Sequence, residues 1–192
     1  MEYNKIQKLA ISLAVNFLTL PWDQFLEFYD IWNKETGLGT GTLRTPNQFA
    51  IRGAAGTGKT TIVAGIIEQL NLKRGTIVAS TLSHAAKEVL AGKMPFNHPL
   101  EFKTLAALTS MQLKIDADGE KHYVPSKRKA HNWYKYAIID EASMLGPTFL
   151  KRLNEFSGLR ILFLLDKYQL PPIEKLPQHQ GESPTVNQIG ID

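Results

Sequence analysis

The sequence contains no cysteine, which excludes disulfides and any thiolate metal site and fits a reducing compartment. It lacks any apolar run near the ~20 residues that a membrane helix needs. Its amino terminus, Met1-Glu2-Tyr3-Asn4-Lys5, opens a mixed amphipathic segment rather than a secretory signal. Neither sign of charge is in large excess: 22 Lys and Arg against 18 Asp and Glu leave a net +4. That mild basic balance suits a polyanionic partner without demanding one. The expectation is a soluble, membrane-free chain of the cytoplasm, or of a host cytoplasm if phage-encoded. What is present, 43% hydrophobic residues in 192, suffices for one well-buried core and is short for two full domains.

The chain is organised around Gly53-Ala54-Ala55-Gly56-Thr57-Gly58-Lys59-Thr60, a full match to the phosphate-loop pattern G-x-x-x-x-G-K-[ST]. An apolar, β-compatible stretch at 48–52 precedes it, and 61–70 carries apolar residues at helical spacing. Gly53, Gly56 and Gly58 permit backbone angles and close approaches that let successive N–H groups turn toward phosphate oxygens. The helix start adds partial positive charge. In such a loop Lys59 reaches the β- and γ-phosphates and the Thr60 hydroxyl holds Mg²⁺, so ATP and Mg²⁺ are the expected ligands.

Around this loop the chain alternates strands and helices. Apolar positions predict helices over 4–18 and 22–32, broken at Pro21, and the aromatics of the second read as a packing face. Residues 37–46, rich in Gly, Thr and Pro, read as loop. A buried strand follows at 75–80, then a helix capped by Ser83. Residues 101–110 are ambiguous between strand and helix. Residues 114–124 predict a projecting hairpin that turns at Asp118-Gly119. Lys121, Lys127, Arg128, Lys129 and Lys135 interleave with Tyr123, Trp133 and Tyr134, a pattern shared by nucleic-acid contacts and by solvated loops. The alternation implies a mostly parallel sheet with helices on its faces.

The strand at 136–139 ends in Asp140-Glu141, at the sheet edge where α/β folds bind ligands. Asp140 is expected to hold Mg²⁺ and Glu141 to orient and deprotonate the attacking water. The most hydrophobic strand, 159–165, runs into Asp166-Lys167-Tyr168-Gln169-Leu170-Pro171-Pro172. Gln169 there can bond both a γ-phosphate and a water. After Pro177 the sequence turns polar and weakly patterned.

From residue 48 to about 186 the chain resembles the first motor domain of a superfamily 1 DNA helicase of the RecD-like, Dda-like group. The stretch Gly53-Ala54-Ala55-Gly56-Thr57-Gly58-Lys59-Thr60-Thr61 resembles motif I, Ala137-Ile138-Ile139-Asp140-Glu141-Ala142-Ser143-Met144 motif II, and residues 166–172 motif III. The resemblance implies a RecA-like P-loop fold over 47–176, with an N-terminal helical segment at 1–46 packed on it and a polar tail at 177–192. It implies catalytic roles for Glu141, Lys59 and Gln169, and strand contacts from Thr81, Ser83, His84 and Thr104. The adenine-reading glutamine is Gln7 or Gln24. Leu165 stands where the family commonly has glycine, and Ser80-Thr81-Leu82-Ser83-His84 replaces its alanine-proline-threonine stretch.

The implied activity is single-stranded DNA translocation and duplex unwinding driven by ATP hydrolysis. Two alternatives stand beside it, a non-hydrolysing regulatory or scaffold module and an ATPase that loads other proteins onto DNA. Such motors close the nucleotide between two RecA-like domains, the second supplying arginines. The expectation is therefore a fragment, a truncated product or half of a split motor, slow alone, with a second domain or replication and recombination proteins as partners.

Overall fold

The computed structural model describes residues 2–40, 46–54, 56–94, 98–126, 133–156, 158–166, 168 and 187–190. Asn4 opens α1 (Lys5–Thr19) through a reciprocal cap, its side chain accepting from Gln7 N while the Gln7 side chain accepts from Asn4 N. Pro21 separates it from α2 (Trp22–Thr36), which ends at Gly37 in the left-handed conformation. Then come β1 (Gly39–Thr40), β2 (Gln48–Arg52), α3 (Lys59–Leu70), β3 (Ile77–Thr81), α4 (His84–Gly92), β4 (Glu101–Thr104) and α5 (Leu105–Thr109). The chain continues through β5 (Met111–Ile115), β6 (Lys121–Pro125), β7 (Tyr136–Ile139), a 3-10 turn (Ala142–Met144), α6 (Pro147–Asn154), β8 (Arg160–Leu165) and β9 (Asn187–Gly190).

Among the described residues seven strands form one sheet in the order β1-β9-β2-β8-β7-β3-β4, and only the β1–β9 pairing is antiparallel. Strand residues alternate between two cores. Phe49, Ile51, Ile77, Ala79, Ile138, Leu162 and Leu164 face α1, α2, α3 and α4. Ala50, Val78, Ala137, Ile139, Ile161 and Phe163 face α5 and α6. A sheet covered on both faces explains why its strands read as continuous apolar runs.

The first helices share the core of the sheet. Phe17, Phe25 and Tyr29 gather around Phe49 with ring centroids 5.2, 5.8 and 6.3 Å away. The guanidinium of Arg160, at the start of β8, donates to Phe17 O, 2.8 Å away, and to Leu20 O. It thereby satisfies carbonyls at the carboxyl end of α1.

Three expectations are amended. Residues 101–110 are both strand and helix: β4 passes into α5 at Thr104, whose hydroxyl accepts from Ala107 N. Periodicity blurs there because the switch comes after only four strand residues. The hairpin β5–β6 forms, but Gly119 alone takes positive φ, 78°. Its turn is held by Asp116, whose carbonyl accepts from Gly119 N and whose carboxylate accepts from Asp118 N and Glu120 N. The loop at 37–46 and the tail at 177–192 each contribute a strand, β1 and β9. Both are too short to show alternation in sequence and are set instead by pairing at the β2 side of the sheet.

Helix α1 lies so close to α3 that a Cβ on Gly65 would stand 2.4 Å from Ile11 Cδ1 and 3.0 Å from Tyr3 Cζ. Gly65→Val is therefore expected to destabilise the chain by about 1–3 kcal/mol through overpacking, measured by urea denaturation. An unchanged midpoint would contradict this packing.

Candidate functional site

The phosphate loop joins β2 to α3 at the carboxyl end of the sheet. Gly56 and Gly58 have φ of 80° and 83°, and a Cβ on Gly58 would also stand 2.5 Å from Gln7 Nε2. Both positions thus need glycine for conformation, and Gly58 needs it for space too. Gly53 N donates to Leu165 O at 3.0 Å, which ties the first loop residue to β8. Leu165, where the family commonly has glycine, is accommodated as the last residue of that strand. Ala54 O accepts from Thr57 Oγ1 at 2.8 Å, closing the loop on itself. Ala55 lies outside the described residues.

Lys59 begins α3 and folds back into the loop. Its Nζ donates to Gly53 O and Ala54 O, both at 2.9 Å, and lies 3.4 Å from Asp166 Oδ2. Thr60 and Thr61 follow in the first turn, both half-buried. A cation held by main-chain carbonyls inside a glycine-rich loop is poised for oxygens of greater negative charge.

Asp140 follows β7 directly, its N–H donating to Ser80 O at 2.9 Å and its Oδ1 accepting from Glu141 N at 2.9 Å. Burial pushes its carboxyl above the usual carboxylate range; the Glu141 N–H and the charges of Lys59 and Lys93 oppose this in part. The Lys59 charge thus reaches Asp140 from the neighbouring loop. Glu141 has φ of 55°, a left-handed conformation that costs a non-glycine residue roughly 1 kcal/mol. Glu141 takes this conformation at the turn between β7 and the 3-10 turn, as Asn71 and Ser110 do at the ends of α3 and α5. Gln169 lies outside the described residues.

Sequence reasoning assigned no role to Asp166, which the structure brings to Lys59. The signal was available, since Asp166 ends a hydrophobic strand just as Asp140 does. The N–H of Tyr168, and next the charge of Lys59, hold its carboxyl below the ordinary range against the opposing effect of burial. Structure also separates the two glutamines. Gln7 Nε2 donates to Thr57 O at 3.3 Å, whereas Gln24 is exposed in the first turn of α2.

The four residues expected to touch a strand are arranged unequally. Register pairs Thr81 with Thr104 at the ends of β3 and β4. Thr81 is only 1% exposed and its hydroxyl donates to Ser83 O, so it acts inward. Ser83 and Thr104 spend their side-chain oxygens as helix caps, on Ala86 N and Ala107 N. Ser83 and His84 are exposed. The basic and aromatic segment also divides. Tyr123 packs on Phe149 at 4.6 Å, and buried Tyr134 donates to Glu101 Oε2 at 2.6 Å, with Lys103 Nζ 4.9 Å from its ring centroid. Trp133, Lys121 and Lys135 are exposed, and Lys127, Arg128 and Lys129 lie outside the described residues.

Residues 40–179 match the AAA domain family, most of the chain. The chain belongs to that family. This AAA domain is 30% identical over 142 residues to the ATP-dependent DNA helicase PIF1 of Candida albicans, covering 67% of this chain and 15% of that protein. Over 170 residues it is 30% identical to the ATP-dependent DNA helicase PIF5 of Trypanosoma brucei brucei, covering 78% of this chain and 17% of that protein. These relatives bear out the resemblance to a superfamily 1 helicase motor domain. The AAA domain thus spans less than a fifth of the length of these curated relatives. Its fold is that of an unliganded Pif1 from Bacteroides sp, with a TM-score of 0.54 at 18% identity, covering 91% of this chain and 34% of that one. The mostly parallel, helix-flanked sheet is accordingly as expected. Among the described residues no helix of the AAA domain is long and apolar enough to cross a membrane.

A half-buried carboxylate with a raised pKa lowers stability above its folded pKa. Between its unfolded and folded pKa the native state binds more proton, so stability from this group declines as pH rises through that window and stays lower at neutrality. Asp140→Asn, which can still accept from Glu141 N, is expected to raise the neutral-pH Tm of the ligand-free chain by about 2–4 °C, and to narrow that gain as pH falls toward 4. A lowered Tm at neutrality would contradict the assigned burial effect.

Proposed function

We propose that this chain is the ATP-binding motor domain of an ATP-dependent DNA helicase. The observation that carries the reading is Lys59 Nζ lodged among Gly53 O, Ala54 O and Asp166, with Asp140 and Glu141 at the end of the strand beyond. Three neighbouring strand ends deliver a phosphate loop, a buried acid and a strained acid to one place. That placement suits phosphoryl transfer, whose catalysis consists mainly of positioning and charge stabilisation.

The residues fit a triphosphate with Mg²⁺. Gly53, Ala54, Ala55, Gly56, Thr57, Gly58, Lys59, Thr60 and Thr61 form the cradle, and Thr60 with Asp140 would hold the metal. The burial that raises the Asp140 pKa is relieved by a cation beside it. Bound Mg²⁺ would neutralise phosphate charge during transfer. Lys59 binds phosphate oxygens, Glu141 orients the attacking water and takes its proton, and Gln169 bonds water and phosphate. Gln7, rather than Gln24, stands against the loop to meet the adenine.

Single-stranded DNA is the second substrate, and exposed Ser83 and His84 at the start of α4 are the residues to meet its phosphates. Thr81 and Thr104 support them from within. A second RecA-like domain, with replication or recombination proteins, completes the motor in the cytoplasm or in a host cytoplasm.

ATP turnover measured with and without single-stranded DNA, a second motor domain being supplied, tests this reading. Stimulation by DNA is expected, and Lys59→Ala and Glu141→Gln should each lower kcat about 100-fold or more. Turnover that survives both substitutions would remove the assignment. Tight ATP binding without DNA-stimulated turnover would favour a regulatory module instead.

A further inference from the structure

Asp166 has no part in the chemistry proposed above, yet it joins three segments of the site. Its Oδ2 lies 3.4 Å from Lys59 Nζ and its Oδ1 accepts from Tyr168 N at 3.0 Å. Its main chain exchanges bonds with Ser143, Asp166 N donating to Ser143 Oγ at 2.7 Å and Ser143 Oγ donating to Asp166 O at 2.9 Å. Ser143 lies in the turn that follows Asp140-Glu141. One aspartate, 8% exposed, therefore meets the loop lysine, the segment that leads to Gln169 and the turn after the two acids.

We propose that Asp166 is a positioning residue that holds Lys59 while the site carries no triphosphate, and that nucleotide phosphate takes Lys59 from it. The inference rests on the nucleotide-binding reading. An ammonium group has three N–H donors, and among the described residues those of Lys59 meet Gly53 O, Ala54 O and Asp166 Oδ2. A triphosphate offers the same donors oxygens of greater charge. Asp166 then loses its cation and stands beside phosphates that repel it. Because its carboxylate also anchors Tyr168 N, and its main chain anchors Ser143, the exchange is felt on both sides of the site. The arrangement keeps a half-buried ammonium paired within the loop. It does so at the expense of nucleotide affinity, for which Asp166 is a competitor.

Fluorescent ATP analogue is titrated into the 192-residue chain, with and without Mg²⁺, for the wild type, Asp166→Asn, Lys59→Met and the double variant. Asp166→Asn keeps an acceptor for Tyr168 N and replaces the charged oxygen that faces Lys59 by a neutral amide nitrogen. It is expected to tighten binding about fivefold to tenfold whether or not Mg²⁺ is present, the gain shrinking below about twofold in the Lys59→Met background. If the amide variant fails to fold, Asp166→Ser, also neutral and able to accept, gives the same reading. Unchanged affinity would overturn the proposal, as would a full gain without Lys59, which means plain repulsion. Loss of affinity confined to Mg²⁺ would overturn it too, since Asp166 would then be a metal ligand. In each of those cases Lys59→Met still weakens binding. If Lys59→Met does not weaken it, the nucleotide reading itself falls, and the proposal with it.

Discussion

Parallel pairing of β2 with β8, and of β8 with β7, sets the geometry on which the site depends. In register, Arg52 lies beside Leu165 and Ile139 lies beside Phe163. The bond from Gly53 N to Leu165 O carries the first ladder one residue further. The phosphate loop thus departs beside Asp166, and Asp140 departs one strand beyond. A one-residue slip of β8 would turn its apolar residues toward the wrong core and move Asp166 away from Lys59. Apolar burial on two faces and the charges at the strand ends are specified by the same register.

The strand ends carry groups that are unfavourable by themselves: a half-buried aspartate, a glutamate in left-handed backbone and an ammonium group drawn into a loop. Such features persist where the surroundings over-determine them. Here the surroundings include the first helices. Phe17 and Phe25 pack on Phe49 of β2, Arg160 bonds the end of α1, and Gln7 bonds the loop itself. Helix α1 both supports the strand that leads into the loop and touches the loop at Thr57. It belongs to the apparatus that holds the site, although its own sequence carries no catalytic pattern.

Much of this was legible in the sequence, and the unread parts share a cause. The strands β2 and β7 were read to the residue, because a sheet buried on both faces leaves continuous apolar runs. The phosphate loop was legible as a pattern of fixed spacing and Asp140-Glu141 as acids that follow an apolar strand, and both stand at the carboxyl ends of strands of one sheet. The passage from β4 to α5 and the strands β1 and β9 were not, since each is set by neighbours in space rather than by local pattern. Hydroxyl residues are ambiguous by type. Thr81, Ser83 and Thr104 suit phosphate contacts by type, but the same hydroxyls suit caps and internal bonds, which is where the structure spends them. Asp166 was visible as an acid after a strand, and its pairing with Lys59 required knowing that β8 lies between β2 and β7.

Those internal bonds also connect the two ends of the proposed activity. Lys59 meets Asp166, which meets Ser143 in the turn after Asp140-Glu141. Asp140 N bonds Ser80 O, the next residue, Thr81, bonds Ser83 O, and Ser83 caps α4 beside exposed His84. Contiguity of this kind transmits nothing unless some member has two arrangements. In the exchange proposed above that member is Lys59, whose ammonium meets Asp166 here. Thr81, buried and bonded inward to Ser83 O, links the end of β3 to the cap of α4. The apolar cores on both faces of the sheet lie beneath this chain of bonds, and close-packed interiors resist gradual deformation.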